Sequence, residues 1–199
     1  MINKIVIATN NLHKLKEINS IFLSSNIEVL SLKNLNIQTE IIEDGKTLEE
    51  NSFKKATEIF KLTQLPTIAD DTGLEVFALN GKPGVYSSRF AGTNATYIAN
   101  CDKLLNEMKN IPFEKRDAQF RCVISFVAKN ISIQFEGILK GKITTNFKGE
   151  NGFGYDSIFF LPSLNKTLAE ISFQEKNRIS HRKIGFEKAK NFLLSYFSM

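Results

Sequence analysis

The sequence predicts an α/β protein with a mixed β-sheet, and three observations carry that expectation. Short β-branched runs alternate with amphipathic helical patterns through the first part of the chain. In the second half, two runs of alternating apolar residues meet at Lys129-Asn130, the signature of an antiparallel hairpin. The composition is that of a core-forming protein: 199 residues, 42% hydrophobic and 24% charged. No repeat, low-complexity linker or domain boundary is visible, so residues 1–199 read as one domain, with room for two lobes.

The elements follow in order. Lys4–Thr9 is a buried strand. Leu12, Leu15, Ile18, Ile21 and Phe22 then fall on one stripe of a helix. Ile27–Leu32 is a second strand, and Glu40–Asp44 an acidic, partly apolar segment. Thr47-Leu48-Glu49-Glu50 has the form of a capping box and opens a helix through about Leu62, with Leu48, Ser52, Ala56, Ile59 and Phe60 inward. Pro66–Ala69 is a short strand ending at Asp70-Asp71, with Leu74–Leu79 able to continue it. Asn80–Gly84 is a turn by composition, and Ala95–Lys109 a helix. In the hairpin, Ala118, Phe120, Cys122, Ile124, Phe126 and Ala128 share one face, and Ile131, Ile133 and Phe135 repeat the alternation. A Gly-rich loop at Gly149–Asp156 follows. Phe186, Ala189, Leu193 and Phe197 mark a last helix.

Composition excludes some classes and favours others. The formal charge of +5 and isoelectric point near 9.1 suit an anionic partner, although surplus surface Lys gives the same numbers. Cys101 and Cys122 have neither zinc-site nor redox-motif spacing and imply no disulfide scaffold. The opening apolar run is too short for a signal peptide, and no stretch approaches a membrane span. The expected setting is the cytoplasm, without a membrane and without a stable nucleic-acid partner.

Four groups of residues could carry chemistry. Thr9-Asn10-Asn11-Leu12-His13-Lys14 joins the first strand to the first helix, where N–H groups and Lys14 suit a triphosphate; the same Thr and Asn would also serve as plain helix caps. Glu43 and Asp70-Asp71 offer oxygen ligands of the kind Mg²⁺ takes together with phosphate, or else surface and turn polarity. In Gly152-Phe153-Gly154-Tyr155-Asp156, flanking glycines let the backbone approach a ligand and Phe153 can stack on a base, or anchor a turn. Lys176 to Lys183, with His181-Arg182, offers donors to a base carbonyl, or a solvated helix face.

Together these blocks closely resemble the inosine triphosphate pyrophosphatase family, from the N-terminus to the last helix. The resemblance rests on Ala8–Lys14, Ile68–Leu74, Gly81–Ser87, Gly152–Asp156, Lys166–Glu170 and Ile179–Arg182. It implies a mixed sheet flanked by helices, two lobes around a substrate cleft, and a homodimer. It also implies Mg²⁺-dependent hydrolysis of purine nucleoside triphosphates (ITP, dITP, XTP) to the monophosphate and pyrophosphate. Thr9, Asn10, Asn11, Leu12, His13 and Lys14 then match the triphosphate loop, and Lys55 a second phosphate lysine. Glu43 and Asp71 match metal-associated carboxylates, and Asp71 the proton acceptor for the attacking water. Thr72 matches a substrate contact, Phe153 the stacking ring, and Gly154, Tyr155 and Asp156 the pocket wall. Lys176, His181 and Arg182 match the base-reading group. Asp71, Lys14 and Lys55 are the expected catalytic residues.

Asn10, His13, Thr72 and Ser157 depart from the commonest family pattern. Two alternatives remain beside this expectation. One is a related pyrophosphatase for modified pyrimidine nucleotides, against which the Phe153 and His181-Arg182 pairing argues. The other is a basic nucleic-acid-binding module, which would need aromatics and cations interleaved on one face. The Phe residues here follow strand and helix periodicities instead.

Overall fold

The computed structural model describes residues 3–23, 25–39 and 41–198. Glu40, the first residue of the expected acidic segment, lies outside them. The elements run β1 (Asn3–Ile7), α1 (Leu12–Phe22), β2 (Ile27–Ser31), α2 (Leu48–Thr63), β3 (Thr67–Val76), β4 (Pro83–Gly84) and α3 (Tyr97–Glu107). They continue with β5 (Asp117–Ala128), β6 (Ile131–Ile143), β7 (Phe159–Leu161), β8 (Lys166–Thr167), α4 (Phe173–Ile179) and α5 (His181–Tyr196). Among the described residues the strands order as β2-β1-β3-β5-β6-β7-β8, with β4 on β3. Strand β1 pairs in parallel with β2 and β3, while β6–β7 and β7–β8 are antiparallel. The mixed α/β sheet expected from the sequence is therefore present.

The chain divides into two compact units. The first comprises Met1–Asp71, Cys122–Gly137 and His181–Met199; the second comprises Thr72–Arg121 and Ile138–Ser180.

In the first unit, strand alternation builds two cores. Ile5 and Ile7 of β1, Ile68 of β3 and Cys122, Ile124 and Phe126 of β5 pack with Ile18, Ile21 and Phe22 of α1 and Phe186, Ala189 and Leu193 of α5. Val6, Ala8, Ala69 and Val127 turn the other way and pack with Ala56 and Ile59 of α2. Side chains of a strand point alternately to its two faces, so one sheet carries helices on both. Each fully buried Ile, Leu or Phe here contributes roughly 1.5–3 kcal/mol. Helix α2 begins where Thr47 accepts the Glu50 N–H at 3.1 Å. The return bond of the expected capping box goes one residue further back: the Glu50 carboxylate accepts from the Lys46 N–H at 2.5 Å.

In the second unit, Leu74, Val76, Cys101, Leu104, Met108, Phe120 and Phe159 form a separate core. Helix α3 is capped by Thr96, and α4 by a reciprocal Ser172–Glu175 box.

Three features differ from the sequence expectation. Strand β3 does not stop at Asp70-Asp71 but runs on to Val76, with both aspartates buried inside it. Strand β5 is buried on both faces from Cys122 onward, because Val123, Ser125 and Val127 are covered as well. The charged run Lys176–Lys183 is not one solvated helix face: Ser180 (φ −65°, ψ 153°) breaks it between α4 and α5, and Lys176, His181 and Arg182 are buried.

The start of α5 depends on two glycines. A Cβ on Gly137 of β6 would fall 2.0 Å from the His181 carbonyl oxygen and 2.4 Å from the Gly185 amide nitrogen. Both neighbours are backbone and cannot rotate away, so the contact has no room for a side chain. Gly137→Ala is therefore expected to lower unfolding free energy by about 1–3 kcal/mol or more, as read from the urea midpoint; an unchanged midpoint would contradict this packing.

Candidate functional site

The first unit's polar centre follows from the register of β1 and β3. Ile7 pairs with Ile68, so Asp70 lies two residues beyond that pair, at the level of Thr9. Thr9 thus leaves the carboxyl end of β1 beside the point where β3 continues past its pairing with that strand, and the carboxyl ends of parallel strands are where open α/β sheets place ligands. Asp70 keeps the orientation of Ile68 and points to the α1/α5 side; Asp71 keeps that of Ala69 and points to α2.

On the α1/α5 side, Asp70 is buried and its Oδ2 faces two cations. Lys14 Nζ lies 3.0 Å from its Oδ2, and Arg182 Nε and Nη2 each lie 3.4 Å from the same oxygen. Arg182 Nη1 donates to Glu17 Oε2 at 2.5 Å. The arginine is 1% exposed and Glu17 3%, so the row Lys14–Asp70–Arg182–Glu17 alternates in sign inside the protein. Burial pushes the Asp70 carboxyl up, but Lys14, Arg182 and Lys55 together hold it far below the usual carboxylate range.

On the α2 side, Lys55 and Asn51 stand one helical turn apart and both face Asp71. Lys55 Nζ is 3.6 Å from Asp71 Oδ1 and 2.9 Å from Glu43 Oε1; Asn51 Nδ2 donates to Asp71 Oδ2 at 3.1 Å. Burial pushes the Asp71 carboxyl up, and Lys55 and Lys14 do not fully offset it, with Glu43 adding to the rise. Lys55 moves up as well: burial lowers it, and Asp71, Glu43 and Asp70 outweigh that. Two adjacent aspartates are thereby driven apart, one lowered and one raised.

Among the described residues no cluster of three or more His, Cys, Asp or Glu is arranged to hold a metal. Glu43 and Asp71 nevertheless reach one cation, the Lys55 ammonium, from separate segments. One or two carboxylates are the donor set Mg²⁺ uses when phosphates and waters complete its shell, so these residues fit that ion.

The loop 9–14 is built by local caps. Thr9 Oγ1 accepts the Asn11 N–H at 3.2 Å, and Asn11 Oδ1 accepts those of His13 and Lys14 at 3.0 and 3.1 Å. Asn10, Leu12 and His13 are exposed, and Lys14 is half-buried against Asp70. The capping role weighed for Thr9 and Asn11 is thus real, and it rigidifies the backbone leading to Lys14.

The second unit holds a different cluster. Asp156 Oδ2 accepts the Phe153 N–H at 2.8 Å and the Lys176 ammonium at 2.6 Å. That ammonium also lies 4.4 Å from the centre of the half-buried Phe153 ring, within cation–π range. The Tyr97 ring centre is 6.1 Å from the same ring. Gly152 has φ +80°, and a Cβ there would strike Asp156 Oδ2 at 2.1 Å. Tyr155 is buried with its hydroxyl donating to the Ser87 carbonyl at 2.9 Å, and the Gly154 carbonyl accepts from Cys101 Sγ at 3.4 Å. Thr72 is half-buried in β3.

The structure therefore groups Lys14, Glu43, Lys55, Asp71, His181 and Arg182 in the first unit. Phe153, Gly154, Tyr155, Asp156 and Lys176 are grouped in the second, with Thr72 at its first position. The expected base readers divide between them, and the Arg182 side chain is held by Asp70 and Glu17. Sequence reasoning missed Glu17 and Asn51. Glu17 sits three residues after Lys14 on the same helical side. Asn51, an indifferent helix former inside α2, sits four residues before Lys55.

The Ham1 family description matches residues 5–192 of the chain. The dITP/XTP pyrophosphatase of Thermoanaerobacter pseudethanolicus is 47% identical over 191 residues, covering 96% of both chains. That of Clostridium perfringens is 47% identical over 197 residues, covering 96% of this chain and 97% of its own. The Staphylococcus aureus Ham1 protein superposes with a TM-score of 0.88 at 42% identity, over 98% of this chain and 100% of its own. The Coxiella burnetii HAM1 protein gives 0.89 at 38%, over 97% and 99%.

The two aspartates should respond oppositely to neutralisation. Asp70→Asn leaves Lys14 and Arg182 facing a neutral group and is expected to cost about 3–5 kcal/mol. A depressed carboxyl stabilises the fold above its unfolded value of about 3.9, and that contribution fades as pH falls below it. The variant should therefore lose most at neutral pH and approach wild type in strong acid. Asp71, whose folded value is raised, carries the opposite sign, so Asp71→Asn should not lower stability at pH 7. Thermal and urea unfolding from pH 2 to 8 measures both; equal losses for the two variants would contradict the assignment.

Proposed function

Since the chain belongs to the Ham1 family, we propose that it hydrolyses non-canonical purine nucleoside triphosphates (ITP, dITP and XTP) to the monophosphate and pyrophosphate. In this role it clears deaminated purines from the nucleotide pool. The observation that carries the reading is the pair of lysines set against adjacent buried carboxylates, Lys14 at Asp70 and Lys55 at Asp71 and Glu43. Ammonium groups beside carboxylates suit a substrate that brings both phosphate charge and a divalent cation.

Water attacks the α-phosphorus, the α–β anhydride bond breaks, and pyrophosphate leaves. Asp71 is the proton acceptor: its raised affinity for a proton brings it nearer the value a general base needs at neutral pH. Lys14 and Lys55 stabilise charge on phosphate oxygens, and their positions are fixed beforehand by Asp70 and Glu43. Glu43 and Asp71 would hold Mg²⁺ together with the phosphates; when bound, the ion neutralises phosphate charge and makes water easier to deprotonate. Thr9, Asn10, Asn11, Leu12 and His13 present the capped backbone to the triphosphate, and Thr72 adds a further contact.

In the second unit Phe153 stacks on the purine, with Gly154, Tyr155 and Asp156 forming the wall. Lys176 supplies a donor for a 6-oxo acceptor. Adenine presents a 6-amino donor there, and donor facing donor can reach ~10⁴-fold discrimination. His181 and Arg182 belong to the first unit, where the Arg182 guanidinium is held by Asp70 and Glu17. The same reading includes a homodimer in the cytoplasm. Two buried, unbridged cysteines suit that compartment. No helix among the described residues is long and apolar enough to cross a membrane.

Pyrophosphate release should be measured with Mg²⁺ and one triphosphate at a time: inosine, deoxyinosine, xanthosine, adenosine and a pyrimidine. The first three should be turned over rapidly, and chelation should abolish the rate. Asp71→Asn should lower kcat by about 10²–10⁴. Phe153→Ala should act mainly on KM, by the ~1–3 kcal/mol of one base stack. Preference for the pyrimidine would favour the related housekeeping activity, and no turnover of any triphosphate would overturn the assignment. Light scattering at several concentrations tests the dimer.

A further inference from the structure

We infer that Asn51 is a positioning residue that fixes the Asp71 carboxylate and the Glu43 segment relative to one another. The inference rests on the reading of Glu43 and Asp71 given above and goes beyond it by assigning a task to a residue that reading leaves out.

Asn51 lies in the second turn of α2, completely buried. Its side-chain amide is used at both ends. The Gly45 N–H, which can only donate, meets Oδ1 at 2.8 Å, and this fixes which end is oxygen. Nδ2 then faces Asp71 Oδ2 at 3.1 Å. The other Asp71 oxygen, Oδ1, faces Lys55, one turn later on the same side of the helix. The two carboxylate oxygens are thus held by separate groups on one rigid element, and the carboxylate cannot rotate without losing one of them.

The Gly45 end ties down the neighbouring acid. Gly45 is two residues from Glu43, and a Cβ on it would lie 2.6 Å from Asn51 Oδ1 and 2.8 Å from Glu50 Cβ. The backbone therefore comes against the amide at a distance only glycine permits. Packing does not require an amide here. A buried amide is costly unless its hydrogen bonds are met, and an apolar residue would fill the space without that cost. What the amide adds is a connection: one planar group joins the segment bearing Glu43 to the strand bearing Asp71. Such supporting bonds keep carboxylates in the geometry a divalent ion requires.

Three readouts on Asn51→Ala and Asn51→Asp test this. They are hydrogen exchange of the Gly45 amide by NMR, Mn²⁺ binding by electron paramagnetic resonance, and kcat and KM for ITP with Mg²⁺. Asn51→Ala should lose Gly45 protection, and its Mn²⁺ affinity and kcat should each fall about 10- to 100-fold, with KM changed far less. Asn51→Asp keeps an acceptor for Gly45 but sets a like charge against Asp71; it should retain the protection and still lose kcat and Mn²⁺ affinity by about the same factor. Should the alanine variant fail to fold, the aspartate variant decides. Wild-type kcat and Mn²⁺ affinity in a folded variant of either kind would overturn the inference. If the wild type itself hydrolyses no triphosphate, the proposed function falls, and the exchange and Mn²⁺ arms still decide the role of Asn51.

Discussion

The pleat of β3 sends Asp70 and Asp71 to opposite faces of the sheet, and the polar chemistry of the first unit follows from that alternation. Each buried carboxylate needs its own source of positive charge, since an unpaired buried ion would cost more than the fold could carry. The two helical faces answer differently. Helices α1 and α5 bring Lys14 and Arg182 onto one oxygen of Asp70. Helix α2 brings a single lysine and an amide to Asp71. The two neighbours are therefore shifted in opposite directions, Asp70 down and Asp71 up, though the side chains are identical.

That difference gives the two aspartates different surroundings. Asp70 satisfies Lys14 and Arg182 and holds the row that ends at Glu17, fixing where the loop after β1 delivers its cation. Asp71 is left less compensated, which suits the proton-acceptor role proposed for it. The second unit uses the same economy on a smaller scale. Asp156 closes the Gly-rich loop through the Phe153 N–H, and the lysine it binds also lies over the Phe153 ring.

Much of this was legible in the residues. The β-branched runs, the helical stripes and the hairpin alternation locate the main strands and helices, because burial on one face leaves a periodic trace. Local motifs brought forward Lys14, Asp71 and Phe153, and the family resemblance added Lys55. What stayed hidden were partnerships across long separations. Nothing local marks Glu17 as the counter-ion of Arg182, 165 positions away, or Asn51 as the partner of Asp71. The run Lys176–Lys183 looked solvated because charge periodicity does not report that Ser180 interrupts the helix or that buried acids await the cations. Asp70-Asp71 looked like the end of a strand for a related reason: a polar pair ordinarily stops a buried strand, and only its partners reveal why this one continues.

The first unit is assembled from three separate stretches of chain, and this has a consequence for its birth on the ribosome. Asp70 is synthesised 112 residues ahead of Arg182. At about 5–20 residues per second, that interval lasts roughly 6–20 s. For that time the carboxylate has been made without Arg182, and β1 and β3, joined by β5 once residue 128 is made, wait for the apolar stripe of α5 that packs on one of their faces. The nascent chain thus passes through a stage in which three strands exist with one face covered by α1 alone, an interval in which holdase chaperones would find their substrate.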